Sequence, residues 1–478
     1  MKWWRRLVRG MLYALPAAMF LSYYPVITVG SDAAMNLELS VPLILLVLLD
    51  LVLVVGVVAF RKIRKVLRWW FLLLFPIFAS LSILWSDNVL RGVLTAGIIW
   101  AIVLAVMGVL ALKEEIFDAK YQRRWMRVFI WTSVAACVWC IAQCVMDVMG
   151  VGREVSLMCR GCTSASFGFP HPNGFAIEPQ FMGNLLLAPA IVLMCRVCGG
   201  GNDIRLSERV SAILVVFTLF LTFSRGAIYA FVVGLAVMSV LMLVRGWRSS
   251  RKQSLRSVLA MWGVMIVAFV ASLTTQGVMA ELGPTNDTFG SGVAKVLNHL
   301  TLGVVDIRSK VEGENIGAAS DGGVADEAEL LANTSGETAR TEAAFDGYVA
   351  ESTEVRVKLT DDALAVWRGD FRTAVVGVGL GGAGVALYNA GRTATPKEIV
   401  QNEYASTLLE TGAVGVLLAA ATVCVVVYII WRRGGGYRRE VILGLLAAYG
   451  VSLFFFSGLP NALQVYLMPV LIWVCLVV

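Results

Sequence analysis

Apolar residues in this chain gather into runs of about twenty, broken by short polar stretches, and the spacing recurs from one end to the other. Coiled as a helix, a run of that length crosses roughly 30 Å of hydrocarbon. Twelve such spans are predicted. The first nine are Leu7–Ile27, Val41–Phe60, Trp69–Trp85, Val93–Leu112, Val128–Met149, Phe181–Val197, Ser211–Phe223, Ala227–Val244 and Val258–Val278. Three more follow at Ala405–Ile430, Val441–Phe456 and Leu463–Val478. The expected fold class is all-α, a polytopic membrane protein with about 12 transmembrane helices and a large extracytoplasmic loop containing short helices.

Two polar segments interrupt the rhythm. Gly150 to Gln180 is rich in Gly and Pro. Ala280 to Gln401 is longer and acidic, with Ala, Gly, Ser and Thr dominating between Ile316 and Thr341, a composition that favours flexibility there. Within it, Glu354 to Thr373 reads as an amphipathic helix, since Val355, Leu359, Ala363, Val366 and Trp367 recur at helical spacing. The organisation is therefore helices one to nine in 1–279, the loop in 280–401 and helices ten to twelve in 402–478, all one membrane domain.

Composition agrees with the pattern. Of 478 residues, 58% are hydrophobic and 15% charged, against roughly 25% charged in ordinary soluble chains. The net charge of +7 could suggest nucleic acid, but 26 of the 40 Lys and Arg fall in six short segments, on one side if twelve spans are threaded. That asymmetry orients membrane proteins. It predicts both termini in the cytoplasm and excludes a nucleic-acid partner, with contact to anionic lipid a minor role of the same residues. The threading requires a tight outer turn at Ser224-Arg225-Gly226. The start, Met1-Lys2-Trp3-Trp4-Arg5-Arg6, resembles a signal n-region, but no clean cleavage site follows, so the first helix is read as retained.

Some apparent chemistry dissolves on inspection. Gly377-Val378-Gly379-Leu380-Gly381-Gly382 satisfies a dinucleotide pattern but lacks the strand and crossover unit which that site needs. A glycine turn allowing close backbone approach is the simpler reading. Cys159-Arg160-Gly161-Cys162 and Cys195-Arg196-Val197-Cys198 mimic a zinc site, yet the topology puts them on opposite sides of the membrane. The outer pair suits a small disulfide in an oxidising compartment. Asp50, mid-span, is read as bonding a neighbouring helix in preference to carrying protons. No metal and no cofactor are expected.

Polar features at the outer edge carry more. They are Leu221-Thr222-Phe223-Ser224-Arg225-Gly226-Ala227, the proline-flanked His171 and Asn173 in Gly168 to Ala176, Arg356 on the amphipathic helix, and Gln401 to Gly415. With Leu84-Trp85-Ser86, Leu364, Trp367, Gly377-Val378-Gly379 and Asn402-x-Tyr404 followed by Leu408, Leu409, Glu410, Gly412 and Gly415, they resemble the O-antigen ligase and Wzy-type O-antigen polymerase family. The similarity spans most of the chain from the third helix onward, and the order of the motifs, with the long outer loop before the last one, carries it.

The resemblance implies a metal-independent membrane glycosyltransferase of GT-C-like type in the inner (cytoplasmic) membrane, with its active site on the outer face. The implied donor is an undecaprenyl-diphosphate-linked oligosaccharide. Membrane lipid and other polysaccharide-assembly proteins are the remaining implied partners. Arginine suits such a donor, because its planar, permanent charge matches phosphate oxygens. Arg225 and Arg356 are accordingly assigned to the diphosphate, with Arg372 as a helper. The implied catalytic set is Arg225, Arg356, Gln401, Asn402 and Glu403; the substrate-binding set is His171, Asn173, Ser224, Arg372, Tyr404 and Glu410.

One departure matters. The family's last motif commonly begins His-Asn, and this chain has Gln401-Asn402. Glutamine can orient a hydroxyl but cannot take its proton, which leaves Glu403, Glu410 or His171 as the base, or else a reaction that needs little base help and draws most of its stabilisation from the arginines. The loss favours polymerase over the nearest alternative, a ligase transferring glycan to lipid A core or another anchor. A transporter or flippase of lipid-linked sugar would predict internal repeats and midplane helix breaks, neither of which the sequence presents.

Overall fold

The computed structural model describes residues 2–22, 26–29, 37–164, 168–198, 206–248, 250–283, 288–301, 354–433, 435–457, 459 and 462–477. The flexible stretch expected between Ile316 and Thr341 lies outside them. The described residues are helical apart from turns and one antiparallel ribbon of two strands, β1 (Val26–Val29) and β2 (Leu37–Ser40), pairing Val26 with Ser40.

The first helices are α1 (Lys2–Phe20), α2 (Val41–Ala59), α3 (Leu74–Ser82), α4 (Val89–Ala111) and α5 (Ala119–Val148). Next come α6 (Pro179–Cys198), α7 (Leu206–Leu221), α8 (Arg225–Arg248) and α9 (Arg251–Leu282). A shorter group follows: α10 (Phe289–Leu300), α11 (354–367), α12 (Phe371–Val376) and α13 (Ala383–Asn389). The chain closes with α14 (Glu403–Arg433), α15 (Gly436–Ser452) and α16 (Leu463–Val477). Seven of these, α2, α4, α5, α6, α8, α9 and α14, are long and apolar enough to cross a membrane. Outward-facing Leu48, Leu51, Val54, Val55 and Val58 on α2 give it a solvent-incompatible face suited to lipid. This is a polytopic, membrane-embedded helical protein.

Starts and stops follow local chemistry. Asn88 caps α4 by accepting from the Arg91 N–H at 3.1 Å, and Asp118 caps α5 through the Tyr121 N–H at 2.7 Å. Proline opens α6, where a missing N–H costs nothing. The amphipathic segment predicted over Glu354 to Thr373 is a helix only to residue 367; Asp370 then caps the separate α12.

The core is centred on α6. Its residues Met182 to Cys195 are buried without a break, the signature of a helix surrounded on all sides. It packs against α5, α7, α8, α9, α15 and α16. Against it, α8 and α15 approach closely at Gly234 and Gly444, the small-residue contact that lets membrane helices pack tightly. Asp50 does not bond a neighbouring helix through its Oδ1, which has no hydrogen-bond partner among the described residues.

Basic clusters distant in sequence meet at one end of this bundle. Arg9 pairs with Asp118 at 2.6 Å, Lys65 with Glu114 at 2.7 Å and Lys62 with Glu115 at 2.7 Å. Arg196 pairs with Glu208 at 2.7 Å, and Arg245 with Glu440 at 3.1 Å. The first four pairs are partly exposed and add little stability, roughly 0–1 kcal/mol each; Glu440 of the fifth is buried, so its charge needs the Arg245 partner. Their value here is that they fix which ends of the helices lie together.

Candidate functional site

At the opposite end of α6 and α8 from these pairs, a polar cavity of about 220 Å³ opens. The segment between α5 and α6 forms one wall, and α5 anchors it. Gln143 bonds both the N–H and the carbonyl of Gly174, at 2.8 and 3.0 Å, and Asp147 accepts from the Ser164 N–H at 2.7 Å. Asn173 holds the wall from within, accepting from the Cys159 N–H and donating to the Ala176 carbonyl at 2.6 Å. A disulfide joins Cys159 and Cys162, and the Cys162 carbonyl accepts from the His171 N–H at 3.0 Å. Both His171 and the disulfide line the cavity.

The second wall is the break between α7 and α8. Phe223 adopts a left-handed conformation, φ 58°, which a non-glycine residue takes up only under constraint. It turns the chain so that Ser224 caps α8, accepting from the Ala227 N–H at 3.4 Å, with Arg225 in the first turn. Arg225 is buried, 7% exposed, and lines the cavity beside Ser224. Under it, Phe223 meets Phe169 edge to face and stacks on His299 at 4.4 Å.

The third wall comes from the long polar segment. α10 delivers His299, and α11 delivers Arg356. Arg356 donates from Nε to Gln401 Oε1 at 2.8 Å and from Nη2 to Gln180 Oε1 at 3.0 Å. Gln180 in turn donates to the Phe455 carbonyl, tying the arginine to the loop after α15. The chain's two histidines, 128 residues apart, thus share one cavity with Arg225 and Arg356. The single carboxylate among its described lining residues, Glu178, is exposed.

Burial governs the imidazoles. It pushes His171 down to about 4, so the ring is neutral near pH 7, and Nδ1 faces the Phe169 carbonyl at 3.1 Å as a donor. Burial also drives His299 well below its ordinary value, with Arg225, His171 and Arg356 adding in the same direction. Two fixed cations and two neutral rings make the cavity attractive to an anion and poor at losing or gaining protons. Its volume is below the roughly 300–1,000 Å³ of pockets that enclose a whole drug-sized ligand, so it fits a charged head group whose remainder stays outside.

The other residues singled out in the sequence sit elsewhere. Asn402 caps α14, accepting from the Tyr404 and Ala405 N–H groups at 3.1 Å each. Glu403 accepts from the Tyr466 hydroxyl at 2.7 Å, and its N–H donates to the Leu453 carbonyl. The Tyr404 hydroxyl donates to the Gly450 carbonyl at 2.6 Å. Glu403 and Tyr404 thereby tie α14 to α15 and α16. Arg372 is exposed beside Asp370.

Glu410 belongs to a second knot. The Gly379 N–H donates to its carbonyl and the Val378 N–H to that of Leu409, both at 2.9 Å. Gly377 and Gly412 face each other across this ladder with φ of 76° and 62°. A β-carbon on Gly377 would lie 2.3 Å from the Glu410 carbonyl oxygen, and one on Gly412 2.4 Å from that of Val375. The glycine-rich turn therefore serves backbone approach to α14, which it breaks at Gly412.

His299 and Gln180 were not singled out from sequence. His299 lies in the segment read as loop, although Val293, Val296, Leu297 and Leu300 keep helical spacing there and Thr288 caps the helix. Gln180 carries no local signal; its part depends on Arg356, 176 residues away. Compared with known proteins, the chain matches no protein-family model and no curated protein sequence.

Proposed function

We propose that the protein is a membrane glycosyltransferase that polymerises undecaprenyl-diphosphate-linked oligosaccharide repeat units, in the manner of Wzy-type polymerases. The reading has twelve spans with both termini in the cytoplasm and the arginine cavity on the outer face of the cytoplasmic membrane. The observation that carries it is the convergence of Arg225 and Arg356, 131 residues apart, on one cavity away from the basic clusters. These are the two arginines that the motif resemblance assigns to a diphosphate.

In this reading the acceptor hydroxyl oxygen attacks the anomeric carbon of the donor's reducing-end sugar. The bond from that carbon to the diphosphate oxygen breaks, and the leaving group departs with the electron pair. Guanidinium groups aimed at the diphosphate stabilise the charge as it grows, and a preorganised donor of this kind contributes roughly 3–4 kcal/mol to barrier lowering. For the acceptor proton, Glu403 is engaged by Tyr466 and Glu410 sits in the glycine knot. Of the three bases considered, His171 alone lines the cavity, so the reading gives it that role. With a conjugate acid near 4 it is a weak base, which leaves most of the catalysis to the arginines.

The product of a strain lacking the protein tests the reading. Glycan limited to a single repeat unit supports a polymerase. Full-length polymer stranded on the lipid carrier would instead identify a ligase and overturn the proposal.

A further inference from the structure

A second concave site lies at the end of the bundle where the basic clusters meet. Lys120, Arg123, Arg124 and Arg127 on the first turns of α5 line a cavity of about 550 Å³ with Arg196 and Glu208. Glu208 is already matched by Arg196 at 2.7 Å. None of the four cations on α5 has a carboxylate partner among the described residues. All four are exposed, and they share the wall of one cavity.

The cavity does not end at the charges. Arg124, Arg127 and Trp131 also border a shallow groove of about 660 Å³ that continues past Tyr13, Val128, Thr132 and Ala135. Arg124, Arg127, Trp131 and Ala135 recur at helical spacing, so they form one stripe down α5. From Arg124 to Ala135 the helix rises about 16 Å, close to half of a hydrocarbon layer of roughly 30 Å. Trp131 is 58% exposed at the point where charge gives way to apolar surface, the level at which an indole sits in a bilayer.

We propose that the cavity and groove together bind one anionic phospholipid, with its phosphate among the α5 arginines and an acyl chain along the Trp131 groove. Charge selects the head group, and the length of the groove matches a chain confined to one leaflet. The inference does not depend on the catalytic reading, since it concerns the opposite end of the molecule.

Native mass spectrometry of the full chain, released from mixed micelles of phosphatidylglycerol and phosphatidylcholine, tests it. The unmodified protein should retain phosphatidylglycerol selectively. Replacing Arg124 and Arg127 together by Gln should weaken that retention about thirtyfold, about fivefold for each cation, while Arg438→Gln with Arg439→Gln leaves it unchanged. Equal loss in both double variants would show a nonspecific charge effect and overturn the proposal. Displacement of the lipid by equimolar inorganic phosphate would show a free-anion site and do the same. A second measurement does not need the arginine variants. In vesicles, brominated-chain phosphatidylglycerol should quench the unmodified protein more than Trp131→Phe, with no such gap for brominated phosphatidylcholine; no gap for either lipid would contradict the placement of the chain.

Discussion

Arg356 on α11 donates through Nε to the side-chain oxygen of Gln401, 2.8 Å away, at the last residue but one before α14. On the proposed reading Gln401 takes the place of a histidine, and as a glutamine it holds an arginine in place and does not titrate. A hydrogen bond to a charged group contributes about 1.5–3 kcal/mol. Gln401→Ala should therefore slow chain extension about tenfold or more through kcat. Combined with Arg356→Ala, its effect should vanish, because both changes act through one guanidinium. Additive losses in the double variant would show that Gln401 acts on something else.

The buried histidines make stability depend on pH. Folding lowers His171 from 6.5 to about 4, and His299 moves in the same direction. Between those values the unfolded chain binds a proton that the folded chain does not. The contribution is fully present above about 6.5 and is lost as pH falls toward about 4, roughly 3 kcal/mol for His171. The melting temperature of the detergent-solubilised protein should fall over that window more steeply than that of His171→Asn. Parallel curves would contradict the burial argument.

Backbone contact at the glycine knot predicts a sharp positional contrast. Gly377→Ala forces a positive φ on a side-chain residue and drives its β-carbon into the Glu410 carbonyl. The conformational cost alone is about 1–3 kcal/mol, and the clash adds to it. Gly263→Ala, on α9 with open space around the added carbon, should be tolerated or slightly stabilising. Thermal unfolding of the two variants side by side settles the comparison; similar melting temperatures would refute it.

Much of this architecture was legible in sequence because a membrane helix must satisfy its backbone internally and cover its length with apolar side chains. The turn at Ser224-Arg225 was legible too, since charge alternation demanded it, and α7 ends at Leu221 with α8 starting at Arg225. What the sequence could not supply was partnership across long separations. Nothing local distinguishes Gln401, which reaches Arg356, from Asn402, which only caps its own helix. Asn173 looked like a ligand-binding residue of a proline-flanked turn, and it is the internal tie of that turn. His299 was hidden because an acidic, small-residue composition obscured a single amphipathic helix.

Arg225 and Arg356 are proposed to act together on a lipid diphosphate. The most direct measurement of this uses the purified full chain, reconstituted with undecaprenyl-diphosphate-linked repeat units, with glycan chain length read on a gel. Arg225→Ala and Arg356→Ala should melt close to the unmodified protein yet extend chains about 10²–10³-fold more slowly. Arg225→Lys should recover little, because a single ammonium cannot reproduce the fork. A ladder of polymer lengths that persists unchanged in both alanine variants would contradict the account.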